Sequence, residues 1–221
     1  MGQAFLPGHK NSLLIFARTP VAGQVKTRFF PHLTPQQACA LHAAMIEDTA
    51  ELATCFPGRR LVLFSEEIPP LRLPPGTETG RQGSGDLGAR LTAALTECFA
   101  AGAHKAVVLG SDSPHLPPQR LAEALGALDS ADLALGPTED GGYYLLALRK
   151  FAPEIFAGVE WGTARVFQQT RRAAERAGFR VTALEPFYDL DHWEDLQSLV
   201  ACGATGARRT LALVRGLGVG D

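Results

Sequence analysis

The sequence has no surplus of positive charge: 21 Lys and Arg stand against 23 Asp and Glu, a net charge of −2 over 221 residues. A nucleic-acid coat needs a basic excess to neutralise phosphates, so that class is set aside. No apolar run reaches the roughly 18 residues that mark a membrane-spanning helix. The short run at 13–17 follows Pro7, Gly8, His9 and Lys10, an order unlike a secretory leader, and Leu6 stands where myristoylation calls for Ser or Thr. The four cysteines, Cys39, Cys55, Cys98 and Cys202, show no C-x-x-C spacing and read as reduced core thiols of a cytoplasmic protein. The six histidines form no H-x-x-x-H pair, and His42, His104, His115 and His192 read as isolated surface or helix-end residues. G-x-S-x-G is absent, which removes the α/β-hydrolase reading.

What the chain has in quantity is apolar material, 46% of its residues, enough to build a core and exclude disorder. Short apolar runs at 13–17, 60–64, 105–109, 132–135, 143–148 and 179–184 read as strands. Helical spacing follows Pro35, Asp86 and Pro117, returns at 163–177, and closes the chain after Asp191. The stretch 68–85 is rich in Pro, Gly and Thr and reads as a loop. The region 204–221, with Leu211, Leu213, Val214 and Leu217, is expected to pack on the rest of the molecule. Alternating strands and helices predict one α/β domain over 1–221, with its core at about 11–200. The expected form is a three-layer α/β/α sandwich around a mostly parallel sheet. Ligands of such sheets gather beyond the carboxyl ends of the strands.

The residues at those ends carry chemistry. Arg18, Pro20, Gly23, Lys26, Thr27 and Arg28 follow the first strand and form a cation-bearing loop suited to a polyphosphate. It is not a Walker A loop, because Pro20 and Val25 stand where that motif needs glycine; nor does G-x-G-x-x-G follow the strand. A solvated basic loop is the plain alternative. Gln82, Gly83, Gly85 and Asp86 offer a glycine-rich backbone and an amide with both donor and acceptor. Asp86 also suits a helix N-cap. Asp112 follows the third strand between Ser111 and Ser113, where a carboxylate suits Mg²⁺ or Mn²⁺. Asp189 and Asp191, two apart, share one side of an extended segment, and either completes a metal site with Asp112. Asp191 ranks first, with capping of the next helix as its alternative. Glu139, Asp140, Gly141 and Gly142 read as a hairpin or as acceptors for sugar hydroxyls. Trp161 and Thr163 add an aromatic wall and a hydroxyl.

In order, R-T-P-V-A-G-Q-V-K-T-R, Q-G-S-G-D-L-G-A-R-L, L-G-S-D-S-P-H-L, L-G-P-T-E-D-G-G-Y-Y-L-L-A-L, W-G-T and D-L-D-H-W-E-D-L resemble a bacterial family of glycosyltransferase-like proteins. That family is related to the nucleotide-diphospho-sugar transferases, and some members are linked to radical-SAM and selenium-associated gene clusters. The likeness runs from about Leu13 to Val200. More distantly the chain is similar to phospholactate and molybdenum-cofactor guanylyltransferases. The resemblance implies a GT-A fold, with Arg18, Lys26 and Arg28 on nucleotide phosphates, Gln82 and its glycines on the base, and Asp112 on a divalent metal. Arg18 stands where many members have Lys, and Ser113 where many have Cys; neither change removes a needed charge.

The expected activity is transfer from a nucleotide or nucleotide-sugar donor to a small-molecule acceptor, dependent on Mg²⁺ or Mn²⁺. Lys26 and Arg18 would stabilise the leaving phosphate beside the Asp112 metal site. Glycosyl and nucleotidyl transfer both fit, and no general base stands out. A nucleotide-sensing protein with a degenerate site is the alternative of another class. Both require that Lys26 and Asp112 meet in space.

Overall fold

The computed structural model describes residues 10–203 and 206–219. A seven-stranded sheet has the spatial order β3-β2-β1-β4-β6-β5-β7. The strands are β1 (Asn11–Ala17), β2 (Arg59–Phe64), β3 (Thr77–Arg81), β4 (Lys105–Gly110), β5 (Leu133–Pro137), β6 (Tyr143–Leu148) and β7 (Val181–Ala183). Only β6 runs against its neighbours, pairing antiparallel with β4 and β5. Among the described residues the α-helices are α1 (Pro35–Leu52), α2 (Leu87–Ala100), α3 (Gln119–Ala127), α4 (Val166–Arg176), α5 (Trp193–Cys202) and α6 (Arg208–Gly216).

The strands are apolar without alternation because both sheet faces are covered. Leu13 and Ile15 of β1 point into a core shared with Ile46 of α1 and Leu121 of α3. Leu14, between them, points into the opposite core with Leu91 and Leu95 of α2 and Ala174 of α4. This is the period-two geometry of a strand buried on both sides. Helix α1 is buried on two sides as well: Ile46 and Ala50 meet the sheet, while Ala38, Leu41 and Met45 meet Leu196 and Leu199 of α5 and Leu211 and Val214 of α6. Its start is held by a capping box, in which Thr34 Oγ1 accepts from the Gln37 N–H and Gln37 Oε1 accepts from the Thr34 N–H.

One expected loop contains a strand. Within 68–85, Thr77-Glu-Thr-Gly-Arg81 pairs parallel to β2 as the edge of the sheet. Only Gly80 of these residues is buried, so the segment carries no apolar run to reveal it. The C-terminal region packs on α1 and α5 through α6, as expected; its residues 204, 205, 220 and 221, like the leader reading at 1–9, lie outside the described residues. The four cysteines are free, but only Cys98 is buried, and Cys55 and Cys202 are exposed rather than in the core. His42 and His115 are buried, not at the surface. Among the described residues no helix is long and apolar enough to cross a membrane.

Candidate functional site

The carboxyl ends of β1 and β4 are neighbours, since those strands pair in register from Asn11↔Lys105 to Phe16↔Gly110. Arg18 and Asp112 therefore leave the sheet side by side. The loop after β1 turns at Val21–Gln24, where Gly23 has φ +88, and reaches Lys26. Lys26 has φ 50, and is the one non-glycine residue at positive φ among those described. An L-residue there carries a cost from its Cβ, and at Lys26 that cost is borne where the side chain meets three protein oxygens.

That side chain is 7% exposed. Its ammonium lies 3.0 Å from Asp112 Oδ1 and 3.0 Å from Asp191 Oδ1, and donates at 2.7 Å to the Leu190 carbonyl. Arg28 Nη1 donates to the other Asp191 oxygen at 2.8 Å. The segment carrying Asp191 is fastened here by its own backbone: the Leu190 N–H donates to Asp112 O at 2.8 Å. The Asp191 and His192 N–H groups both donate to Asp195 Oδ2, so Asp195 rather than Asp191 serves the start of α5. Asp189 sits beside this group and accepts from Ser113 Oγ at 2.5 Å.

The charges stabilise one another. Burial alone would lower the Lys26 ammonium, but Asp112 and Asp191 outweigh it and hold its pKa above the ordinary value. Burial alone would raise Asp112, but Lys26, with His42 and Arg18 behind it, holds that carboxyl below the usual range. Asp189 has no such partner; burial, then Asp112 nearby, pushes it up to about 7.

A cleft of about 340 Å³ opens here, lined by Phe16, Arg18, Val25, Lys26, Thr27, Arg28, His42, Ser111, Asp112 and Asp191. Sequence reasoning missed His42. Its Nε2–H donates to the Arg18 carbonyl at 3.1 Å, and burial pushes its imidazole below the ordinary pKa. The available signal was its place on the apolar stripe of α1, between Leu41 and Met45.

Two further chambers adjoin across Arg28, Asp189 and Asp191. One of about 130 Å³ is lined by Thr138, Glu139, Asp140, Tyr188, Asp195 and their neighbours. The other, about 400 Å³, is lined among others by Leu87, Asp140, Gly142, Tyr143, Trp161 and Thr163. Residues 138–142 form the turn of the β5–β6 hairpin. Asp140 Oδ1 accepts from Thr138 Oγ1 and from the Gly142 N–H. Gly141, at φ +86, lies against the Ala164 backbone, where a Cβ would come within 2.1 Å of the carbonyl oxygen. Trp161 stands over Gly88 of α2.

Not every expected residue joins the cleft. Pro20 and Gly23 shape the loop without lining it, and neither do Gln82, Gly83, Gly85 or Asp86. The Gln82 amide is engaged inside the protein: Nε2 donates to Ala17 O at 2.9 Å and Leu63 O at 2.8 Å, and Oε1 accepts from Arg90. Asp86 is the N-cap of α2, accepting from the Ala89 N–H at 2.8 Å.

The donors suit a hard cation. Carboxylate oxygens of Asp112 and Asp191 already converge on one positive charge, with a carbonyl oxygen beside them and no sulfur. Among the described residues no group of three or more His, Cys, Asp or Glu is arranged to hold a metal. The remaining ligands of such an ion would be substrate phosphates and water, which is the habit of Mg²⁺.

Comparison with known proteins places the chain in a family and a fold. Residues 40–163 match the family described as "Uncharacterized protein conserved in bacteria (DUF2064)". A Desulfovibrio desulfuricans G20 protein, provisionally described as a nucleotide-diphospho-sugar transferase, is 31% identical and superposes with a TM-score of 0.85 over 94% of both chains. The 2-phospho-L-lactate guanylyltransferase of Methanothermobacter thermautotrophicus (strain Delta H) is 28% identical over 86% of this chain and 85% of its own. Rv0371c of Mycobacterium tuberculosis H37Rv, solved in complex with manganese, shares the fold at 17% identity and a TM-score of 0.51, over 87% of this chain and 98% of its own. The chain belongs to the DUF2064 family, and its fold is that of the nucleotide-diphospho-sugar transferases and nucleotidyltransferases.

Proposed function

We propose that this DUF2064 protein is a metal-dependent transferase that takes a group from a nucleotide-activated donor and passes it to a small-molecule acceptor. The observation that carries the reading is the meeting of Lys26 with Asp112 and Asp191 at 3.0 Å each, at the carboxyl ends of β1 and β4. Arg18, Thr27 and Arg28 surround that meeting point and face the same cleft.

Two chemistries share the scaffold. In nucleotidyl transfer the acceptor oxygen attacks the α-phosphorus, and a P–O bond breaks to release pyrophosphate. In glycosyl transfer the acceptor attacks the sugar carbon, and its bond to phosphate oxygen breaks to release a nucleoside diphosphate. Either way negative charge accumulates on departing phosphate, so preorganised cations lower the barrier. Arg18, Lys26 and Arg28 are assigned to that charge. Asp112 with Asp191, or with Asp189, would hold Mg²⁺ or Mn²⁺; a bound ion supplies Lewis-acid charge at the same phosphates. Asp191 is favoured over Asp189 because it shares its cation with Asp112.

The loop at 82–86 is assigned to the nucleoside, with Gln82 bracing it and Gly83 and Gly85 exposed where the loop packs against Ala93 and Ala89 of α2. Glu139, Asp140, Gly142, Trp161 and Thr163 line the chambers assigned to the transferred or accepting group, with Gly141 closing the turn. The similarity to the guanylyltransferase and the density of cations after β1 support nucleotidyl transfer. The Desulfovibrio relative supports use of a nucleotide sugar.

A thermal-shift screen of nucleoside triphosphates and sugar nucleotides, with and without Mg²⁺, tests the reading. A metal-dependent rise in Tm with at least one nucleotide is expected, lost in Lys26→Ala and Asp112→Ala. Pyrophosphate or nucleoside diphosphate release then identifies the chemistry. Binding that survives both substitutions, with no turnover in any pairing, would leave a nucleotide sensor instead.

A further inference from the structure

The Lys26 ammonium donates to Leu190 O at 2.7 Å and to Asp191 Oδ1 at 3.0 Å, and is in ion-pair contact with Asp112 Oδ1 at 3.0 Å, so three protein oxygens surround its three N–H groups. A phosphate must displace one of them to reach it. The carboxylate oxygens it holds are also the ones a divalent ion at this position needs. Around it, Arg18 is exposed, with no side-chain ion pair among the described residues, and the Arg28 side chain is 61% exposed with N–H groups to spare. An arriving polyphosphate meets these arginines before it meets Lys26.

We infer that Lys26 is the resident cation of the metal position: it holds Asp112 and Asp191 closed in the nucleotide-free protein and leaves them when phosphates arrive. This rests on the reading above and adds regulation to it. A divalent ion and Lys26 compete for the same two oxygens, so the ion alone binds weakly. Donor phosphates give the ammonium other acceptors and release the carboxylates to the ion. Metal and nucleotide then promote each other's binding, reciprocally and by the same factor. The backbone at Lys26 agrees with a side chain held by its cage, because φ 50 is retained there against the usual cost for a non-glycine residue. The buried Phe29 ring, 5.9 Å from the ammonium, walls one side and leaves water little access.

The test counts bound Mn²⁺ from the paramagnetic resonance signal of the free ion, without nucleotide, in wild type and in Lys26→Met. Vacating the position leaves Asp112 without its ion pair and Asp191 with Arg28 alone, so Lys26→Met should bind Mn²⁺ more tightly by about tenfold or more, within the usual range of coupling between sites. Adding Asp112→Asn should cancel the gain. Lys26→Met binding Mn²⁺ no more tightly than wild type overturns the inference. If wild type still takes up Mn²⁺ together with a nucleotide in that case, the transferase reading stands and only the resident-cation role falls. If neither ligand binds under any condition, the reading falls with it.

A second measurement needs no substitution. Reductive methylation of wild type, read at Lys26 by mass spectrometry, should be slow in metal-free protein and faster once Mn²⁺ is bound. Equal labelling with Mn²⁺ bound would also overturn the inference.

Discussion

Removing Asp191 should change polyphosphate binding with opposite signs according to whether metal is present. Asp191 neutralises two cations at once, Lys26 at 3.0 Å and Arg28 at 2.8 Å. In Asp191→Ala, Lys26 keeps Asp112 and the Leu190 carbonyl, Arg28 loses its carboxylate, and the cleft gains one net positive charge. A hydrogen bond to a charged group contributes about 1.5–3 kcal/mol when shielded from water. The Asp191 side chain is 33% exposed and Arg28 61%, so each pair is discounted toward the surface value of roughly 0.5 kcal/mol. Without metal, phosphate no longer competes with that carboxylate, and about 1 kcal/mol, near fivefold, should appear as tighter binding. With Mn²⁺, one of two metal carboxylates is gone, and binding should weaken by at least about tenfold. Calorimetric titration with inorganic tripolyphosphate, in EDTA and in Mn²⁺, reads both signs. The fold should survive, because the bonds from the Asp191 and His192 N–H groups to Asp195 are made by backbone. Weaker binding under both conditions would mean that Asp191 only holds the loop, and would refute the shared-cation argument.

Three other outcomes follow from the same structure. The Asp132 side chain, 4% exposed, accepts from the Arg180 N–H, lies among Arg149, Lys150 and Arg180, and has its carboxyl held far below the usual range. Its stabilisation is therefore complete above about pH 4, the unfolded value, and is lost as pH falls below it. Asp132→Asn should cost about 2 kcal/mol at pH 7, below the roughly 3–5 kcal/mol of a fully buried broken pair because its cations can reach water, and should flatten the acid limb of urea melts. Gly141→Ala sets a Cβ 2.1 Å from Ala164 O at φ +86, so a loss of about 2–4 kcal/mol and a Tm drop of roughly 5–15 °C are expected by calorimetry. Gln82→Ala removes both amide bonds that brace the ends of β1 and β2, so stability should fall by about 1–3 kcal/mol. A change of base preference at unchanged Tm would instead make Gln82 a direct reader of the base.

The sequence made the central strands and the principal charges legible for a physical reason. Strands buried on both faces must be apolar throughout, and a ligand site at their carboxyl ends must put Arg18 just after β1 and Asp112 just after β4. The edge strand Thr77–Arg81 was hidden because it buries little and carries no apolar pattern. The antiparallel placement of β6 between β4 and β5 depends on pairing, which no local pattern encodes. At the site, the different partners of Asp189 and Asp191 needed coordinates: both lie on one short segment, yet Asp191 meets Lys26 and Arg28 while Asp189 meets Ser113. Gln82 shows the converse limit, since its composition suits a base edge but its neighbours are strand-end carbonyls.

The most direct test of the cleft is anomalous diffraction from crystals grown with Mn²⁺ and the triphosphate or sugar nucleotide that the screen selects. A manganese peak about 2.1 Å from carboxylate oxygens of Asp112 and Asp191, with phosphates on Arg18, Lys26 and Arg28, is the expected result. A peak elsewhere, or a nucleotide bound away from the ends of β1 and β4, would contradict it.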